Sequence, residues 1–174
     1  MATGYIELPA LCWTPPDGST NNVAPAAQRL KGSQTNAIHT LVWAFDGAGS
    51  AVEQLYATFT LPGDYASGGS LKIQGTINST TGNVAVMQAA VSATTPADAD
   101  TPLEHAFSTA ATVSITANAT EARRLLEGSI TLNMDSAAAG DLVTIRLLRD
   151  PTNGSDTHTS DFELHSAEFS YTTT

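Results

Sequence analysis

Cysteine is nearly absent from this chain. Cys12 is the single one in 174 residues, so no intrachain disulfide can form and no cysteine-based zinc site can be built. No apolar run is long enough to span a bilayer as a helix. Basic residues are scarce, 7 against 17 acidic, and a formal net charge of −10 repels phosphate backbones and anionic lipid surfaces. We therefore expect neither nucleic acid nor membrane as a partner. Aromatics reach only 6%, which leaves few stacking platforms. The start Met1-Ala2-Thr3-Gly4 has no charged or apolar leader, so folding in a cytoplasm is expected. Catalytic signatures are missing as well: there is no Gly-x-Ser-x-Gly, no phosphate loop and no His-Glu-x-x-His.

What the chain has is Thr, Ser, Ala and Asn, with 41% hydrophobic and 14% charged residues. Such a length buries a sizeable core as one domain, and this composition argues against disorder. Two turn marks are each followed by a strand. Leu61-Pro62-Gly63-Asp64-Tyr65 through Gly69 leads into Leu71–Ile77, and Ala139-Gly140-Asp141 opens Leu142–Leu147. Gly, Pro and Asp supply the turns, and the residues after them alternate with period two, as half-buried strands require.

The same reading extends along the chain. Tyr5–Trp13 is expected as a first strand, with Pro9 at an edge or bulge. Cys12 lies in its apolar part, where a buried, inert thiol is expected. Thr14 to Asn36 then reads as a long irregular arm carrying Arg29 and Lys31. Such a loop, positive against an acidic body, suits docking on a neighbouring subunit. Further strands are expected over Ile38–Phe45, Val52–Leu61, Val84–Val91, Thr112–Ala117, near Ile130–Met134, and over Leu142–Arg149. Thr120–Glu127 is either a short helical turn or the entry to the next strand. Phe162–Tyr171 closes the chain, and its apolar phase slips between Leu164 and Phe169, which places a bulge near His165–Ala167. The first and last strands are expected to pair. About ten short strands with regular turns specify an all-β antiparallel β-sandwich of jelly-roll type, with residues 1–35 as strand plus extended arm and 36–174 as the sandwich, in a single domain overall.

Candidate chemistry is sparse. His39, His105, His158 and His165 are scattered, and Glu163 and Glu168 stand at odd spacing on one strand. The loop Asp150–Asp161 gathers Asp150, Asn153, Asp156 and Asp161, oxygen ligands that calcium favours, but it misses the EF-hand spacing and is expected to be a solvated acidic loop. Trp13, Trp43, Tyr56 and Tyr65 are the aromatics available for sugar stacking. Trp43 sits in a doubly apolar strand and is expected in the core, whereas Tyr65 either makes an exposed contact or closes its turn. No catalytic, cofactor-binding or metal-ligating residue is assigned, and no cofactor is expected. Arg29, Lys31 and Tyr65 are the candidate interface residues.

The succession Phe59-Thr60-Leu61-Pro62-Gly63-Asp64-Tyr65, Gly68-Gly69-Ser70-Leu71, Gly82-Asn83-Val84, Ala139 to Asp150 and His165 to Tyr171 resembles the jelly-roll virion structural proteins of tailed bacteriophages, which decorate or cement capsids or sit in tails. The likeness covers roughly residues 36–172. It implies a non-enzymatic capsid decoration protein on the virion exterior, partnered by the major capsid protein and assembled as a homotrimer. The alternative is a carbohydrate-binding jelly-roll module of a phage tail or a microbial enzyme.

Overall fold

The computed structural model describes residues 2–18, 23–31, 39–97, 103 and 105–174, with the backbone alone at 29–31 and 39. Among them are ten strands: β1 (Thr3–Pro9), β2 (Ala26–Lys31), β3 (His39–Phe45), β4 (Glu53–Thr60), β5 (Tyr65–Ile77), β6 (Val84–Thr94), β7 (Ala111–Thr116), β8 (Leu126–Thr131), β9 (Leu142–Arg149) and β10 (Phe162–Thr173). They form two sheets. One is ordered β2-β3-β10-β5-β8, with β1 also paired to β10, and the other is ordered β4-β9-β6-β7. Each strand pairing is antiparallel, and the chain passes repeatedly from one sheet to the other, as a jelly roll does. The terminal strands pair as expected, from Thr3 opposite Thr172 to Pro9 opposite Ser166.

The core lies between the sheets, where period two turns one side of each strand inward. Leu71, Ile73 and Phe169 from one sheet face Leu55, Val91, Ile145 and Leu147 from the other, all fully buried. The two turn marks meet. Leu61 N donates to Asp141 O (2.9 Å) and Gly140 N donates to Leu61 O (3.1 Å), so they extend the β4–β9 ladder past its end. Gly140 takes φ +88°, and the buried Asp141 carboxylate accepts from Ala138 N at 2.7 Å. The expected bulge is His165: Leu164 pairs with Gly75 and Ser166 with Gln74, leaving His165 as the extra residue.

Several expectations are corrected. The stretch read as an irregular arm contains β2, which pairs with β3 from Ala26–Ala44 to Lys31–His39. The same stretch borders β4, where Thr14 pairs with Tyr56 and Val23 O accepts from Gln54 N. Residues 19–22 and 32–38 of the arm lie outside the described residues, as does Ile38 of the expected third strand. The first strand stops at Pro9, and a 3-10 turn over Ala10–Cys12 buries Ala10 while Cys12 is exposed. Of the two readings of Thr120–Glu127, the strand entry holds: β8 starts at Leu126, and Asn118 Oδ1 accepts from Thr120 N and Glu121 N ahead of it. Among the described residues, no helix is long and apolar enough to cross a membrane.

Candidate functional site

The inward phase of β4, β9 and β6 fixes what their other side presents. Outward rows run across the sheet as Gln54–Leu148–Gln88, Tyr56–Arg146–Ala90 and Thr58–Thr144–Ser92. Such a face, small and polar with one aromatic and one cation, leaves room for something to lie on it.

Residues 105–110 supply the missing relief. β7 pairs with β6 only as far as Ala89–Ala111, and beyond that point the incoming segment takes over the β6 edge. Ser108 N donates to Val91 O (2.8 Å), Val91 N donates to Ser108 Oγ (3.1 Å), and His105 Nε2 lies 2.8 Å from Ala93 O. Held this way, Phe107 reaches over the sheet. Its ring lies 6.0 Å from that of Tyr56, and the Arg146 guanidinium carbon sits 4.6 Å from the Phe107 centroid, within cation–π range.

This Tyr56–Arg146–Phe107 row separates two hollows on the same face. The larger, of about 430 Å³, is lined by Gln54, Gln88, Arg146 and Leu148, with Val23 and Asp150 at its rim. The smaller, of about 330 Å³, is lined by Thr58, Thr144, Ser92, His105 and Phe107. Burial holds the Tyr56 hydroxyl above the usual phenol range, the nearby Arg146 pulling it down and Asp17 pushing it up again. Arg146 Nε is buried with no hydrogen-bond partner among the described residues. The lining of the two hollows thus includes a guanidinium, carboxamide and hydroxyl groups and ring surface.

The end of β9 beyond the larger hollow is held by a buried ion pair. Arg149 is fully buried at the end of β9, and its guanidinium grips Asp156 in a bidentate pair, both bonds at 2.9 Å. It also donates to the carbonyl oxygens of Phe45, Ser160 and His158, so its five N–H groups are all used. Asp156 in turn accepts from Val86 N (3.0 Å). The loop read as solvated and acidic is therefore folded around a buried ion pair. Its Asp150 Oδ1 is also engaged, by the amide and hydroxyl of Thr152. No group of three His, Cys, Asp or Glu side chains suited to a metal ion occurs among the described residues.

A second polar cluster lies on the outer side of the other sheet. The Glu163 carboxylate accepts from Thr76 Oγ1 (2.6 Å) and from Arg123 Nη2 (3.4 Å), and His165 Nε2 lies 3.1 Å from the same hydroxyl. Burial lowers the His165 pKa, with Glu163 opposing. Burial and the neighbouring Asp46 raise that of Asp161.

The residues singled out from sequence mostly do other work. Tyr65 is buried, its ring 5.8 Å from that of Tyr171, and it closes its turn rather than making an exposed contact. Arg29 and Lys31 stand on β2, in register with Leu41 and His39. Trp43 packs against the core and donates from Nε1 to Ala10 O (2.8 Å); Trp13 Nε1 donates to Leu8 O (3.2 Å). Of the four aromatics considered for stacking, only Tyr56 is on the face with the hollows. Phe107 and Arg146 were missed. Arg146 was legible as the outward position of β9 between Ile145 and Leu147, whereas nothing local marks Phe107, whose place depends on the edge that β7 leaves free.

No protein-family model matches the chain, and no curated protein matches its sequence. Solved structures do. A family 11 carbohydrate-binding module from Clostridium thermocellum, in complex with a β-1,3-1,4-mixed-linked tetrasaccharide, is similar over 97% of this chain and 96% of that one, with a TM-score of 0.52 at 10% identity. A carbohydrate-binding module from Cellvibrio mixtus lichenase 5A, in complex with cellotriose, covers 96% and 97% of the two chains with a TM-score of 0.41 at 12% identity, too loose to add to the first. The fold is a jelly-roll β-sandwich. That likeness supports the jelly-roll fold of the resemblance drawn from the sequence, and nothing in it is specific to phage proteins.

Proposed function

We propose that this chain is a non-catalytic carbohydrate-binding jelly roll that takes a glycan along the outer face of β4, β9, β6 and β7. The observation that carries the reading is the Tyr56–Arg146–Phe107 row standing between two hollows. Sugar rings present apolar C–H faces and a rim of hydroxyls. Aromatic side chains match the first, and the Gln88 carboxamide with the Arg146 guanidinium matches the second. The tetrasaccharide complex of the module with the same fold supports this choice over others. The capsid reading rests on the resemblance alone, and β2 draws residues 26–31 of the arm expected to dock on a neighbouring subunit into a sheet.

Binding is to be measured by affinity electrophoresis against a panel of soluble plant and microbial polysaccharides, mixed-linkage β-glucan among them. Phe107→Ala removes a ring worth on the order of 1 kcal/mol or more of contact energy, and weakens binding about ten-fold. Retention unchanged in both Phe107→Ala and Tyr56→Ala overturns the reading.

A further inference from the structure

We infer that the larger hollow is an anion subsite, and that the glycan it selects is a neutral backbone bearing isolated uronic acid carboxylates, read by Arg146. This rests on the glycan-binding reading and specifies its ligand.

Arg146 stands apart from the other arginine and lysine side chains described. Arg149 pairs with Asp156, Arg123 with Glu163, Arg124 with Glu121 and Lys72 with Glu168. Arg146 has no carboxylate within ion-pair distance and donates no hydrogen bond among the described residues, although it is half-buried and one of its nitrogens is sealed from water. A guanidinium in that position has lost hydration without gaining an acceptor, a cost that an incoming anion removes. Its guanidinium carbon lies 4.6 Å from the Phe107 centroid, and Nη1 and Nη2 make no hydrogen bond among the described residues, so the fork can meet a carboxylate bidentately. The surrounding hollow of about 430 Å³ has room for a sugar ring beside it, with the half-buried Gln88 carboxamide on its lining. Asp150, the one acidic residue of that lining, already accepts twice from Thr152.

The charge of the whole chain narrows the ligand further. At −10 it repels a contiguous polyanion over a Debye length of about 8–10 Å, whereas a single carboxylate in contact with Arg146 is hardly screened. Sparse uronates on a neutral backbone satisfy both conditions; polyuronates do not.

The probe is glucuronoxylan, paired with the same polymer after chemical reduction of its carboxyl groups, with mixed-linkage β-glucan as a neutral control. The native protein is expected to bind the uronate form about ten-fold more tightly than the reduced form. Arg146→Met, which keeps an apolar stem against Phe107, abolishes that preference, and Arg146→Lys retains part of it; thermal melts of both variants report folding. Equal affinity for the two forms, or a preference that survives Arg146→Met, overturns the inference alone and leaves glycan binding standing. Failure to bind any polymer of the panel overturns both.

Discussion

Among the described residues, Arg149 makes more hydrogen bonds than any other polar side chain. Its fork ties the end of β9 to Asp156, to Phe45 and to the 158–160 backbone, with no donor left over. Removing one partner of such a pair strands the other in a dry site. Arg149→Ala is therefore expected to lower unfolding free energy by about 3–5 kcal/mol in urea titration, whereas replacing both Arg149 and Asp156 with apolar residues of similar size costs much less. A loss below 1 kcal/mol for the single variant means that the pair is not buried in solution. Neither this pair nor the Arg146–Phe107 stack could be read from sequence. Asp156 stands in a run of Asp, Asn and Ser typical of a surface loop, and only the fold shows that the loop closes over a buried cation.

Strands with a clear period were legible, and those without one were not. β9 has the expected limits, and the phase slip in β10 marks the bulge at His165, because each apolar position there has one face on which it can lie. β2 was missed: Ala-Ala-Gln-Arg-Leu-Lys shows no alternation, and what defines the strand is its ladder with β3. Cys12 was misplaced because apolar neighbours suggested burial, whereas the 3-10 turn after Pro9 sends Leu11 and Cys12 outward between the buried Ala10 and Trp13. Between β5 and β10 the sheet depends on a glycine. A Cβ on Gly75 would fall 2.3 Å from the Phe162 ring, which lies directly over the backbone. Gly75→Ala must push that ring out of the core, and a loss of about 1–3 kcal/mol is expected by chemical denaturation. An unchanged midpoint would show that β5 and β10 are not packed this way.

The whole molecule responds to pH through groups that change environment on folding. Burial lowers His158, with the Arg149 charge adding to it, and burial lowers His165. The unfolded chain takes up protons near the ordinary histidine value of about 6.5, before the folded chain does, so stability falls as pH drops through that value towards the depressed folded ones. Glu53 and Asp161 act in the opposite sense. Burial raises both, so acidification through the carboxylate range returns part of the loss. Melting temperature is expected to decline from pH 7.5 to 5.5, with a shallower slope in His165→Gln; a flat profile over that window contradicts these environments. The architecture itself, two antiparallel sheets with paired termini, was legible from turn spacing and alternation. The face proposed to take a glycan was not, since it is assembled from β4, β9, β6 and the 105–110 segment, which are distant in the chain. The most direct measurement of that face is the dissociation constant for a soluble glycan of native protein and of Phe107→Ala, each with its melting temperature. About ten-fold weaker binding with melting nearly unchanged is the result expected of a glycan face on β4, β9, β6 and β7; equal affinity in the two proteins would contradict it.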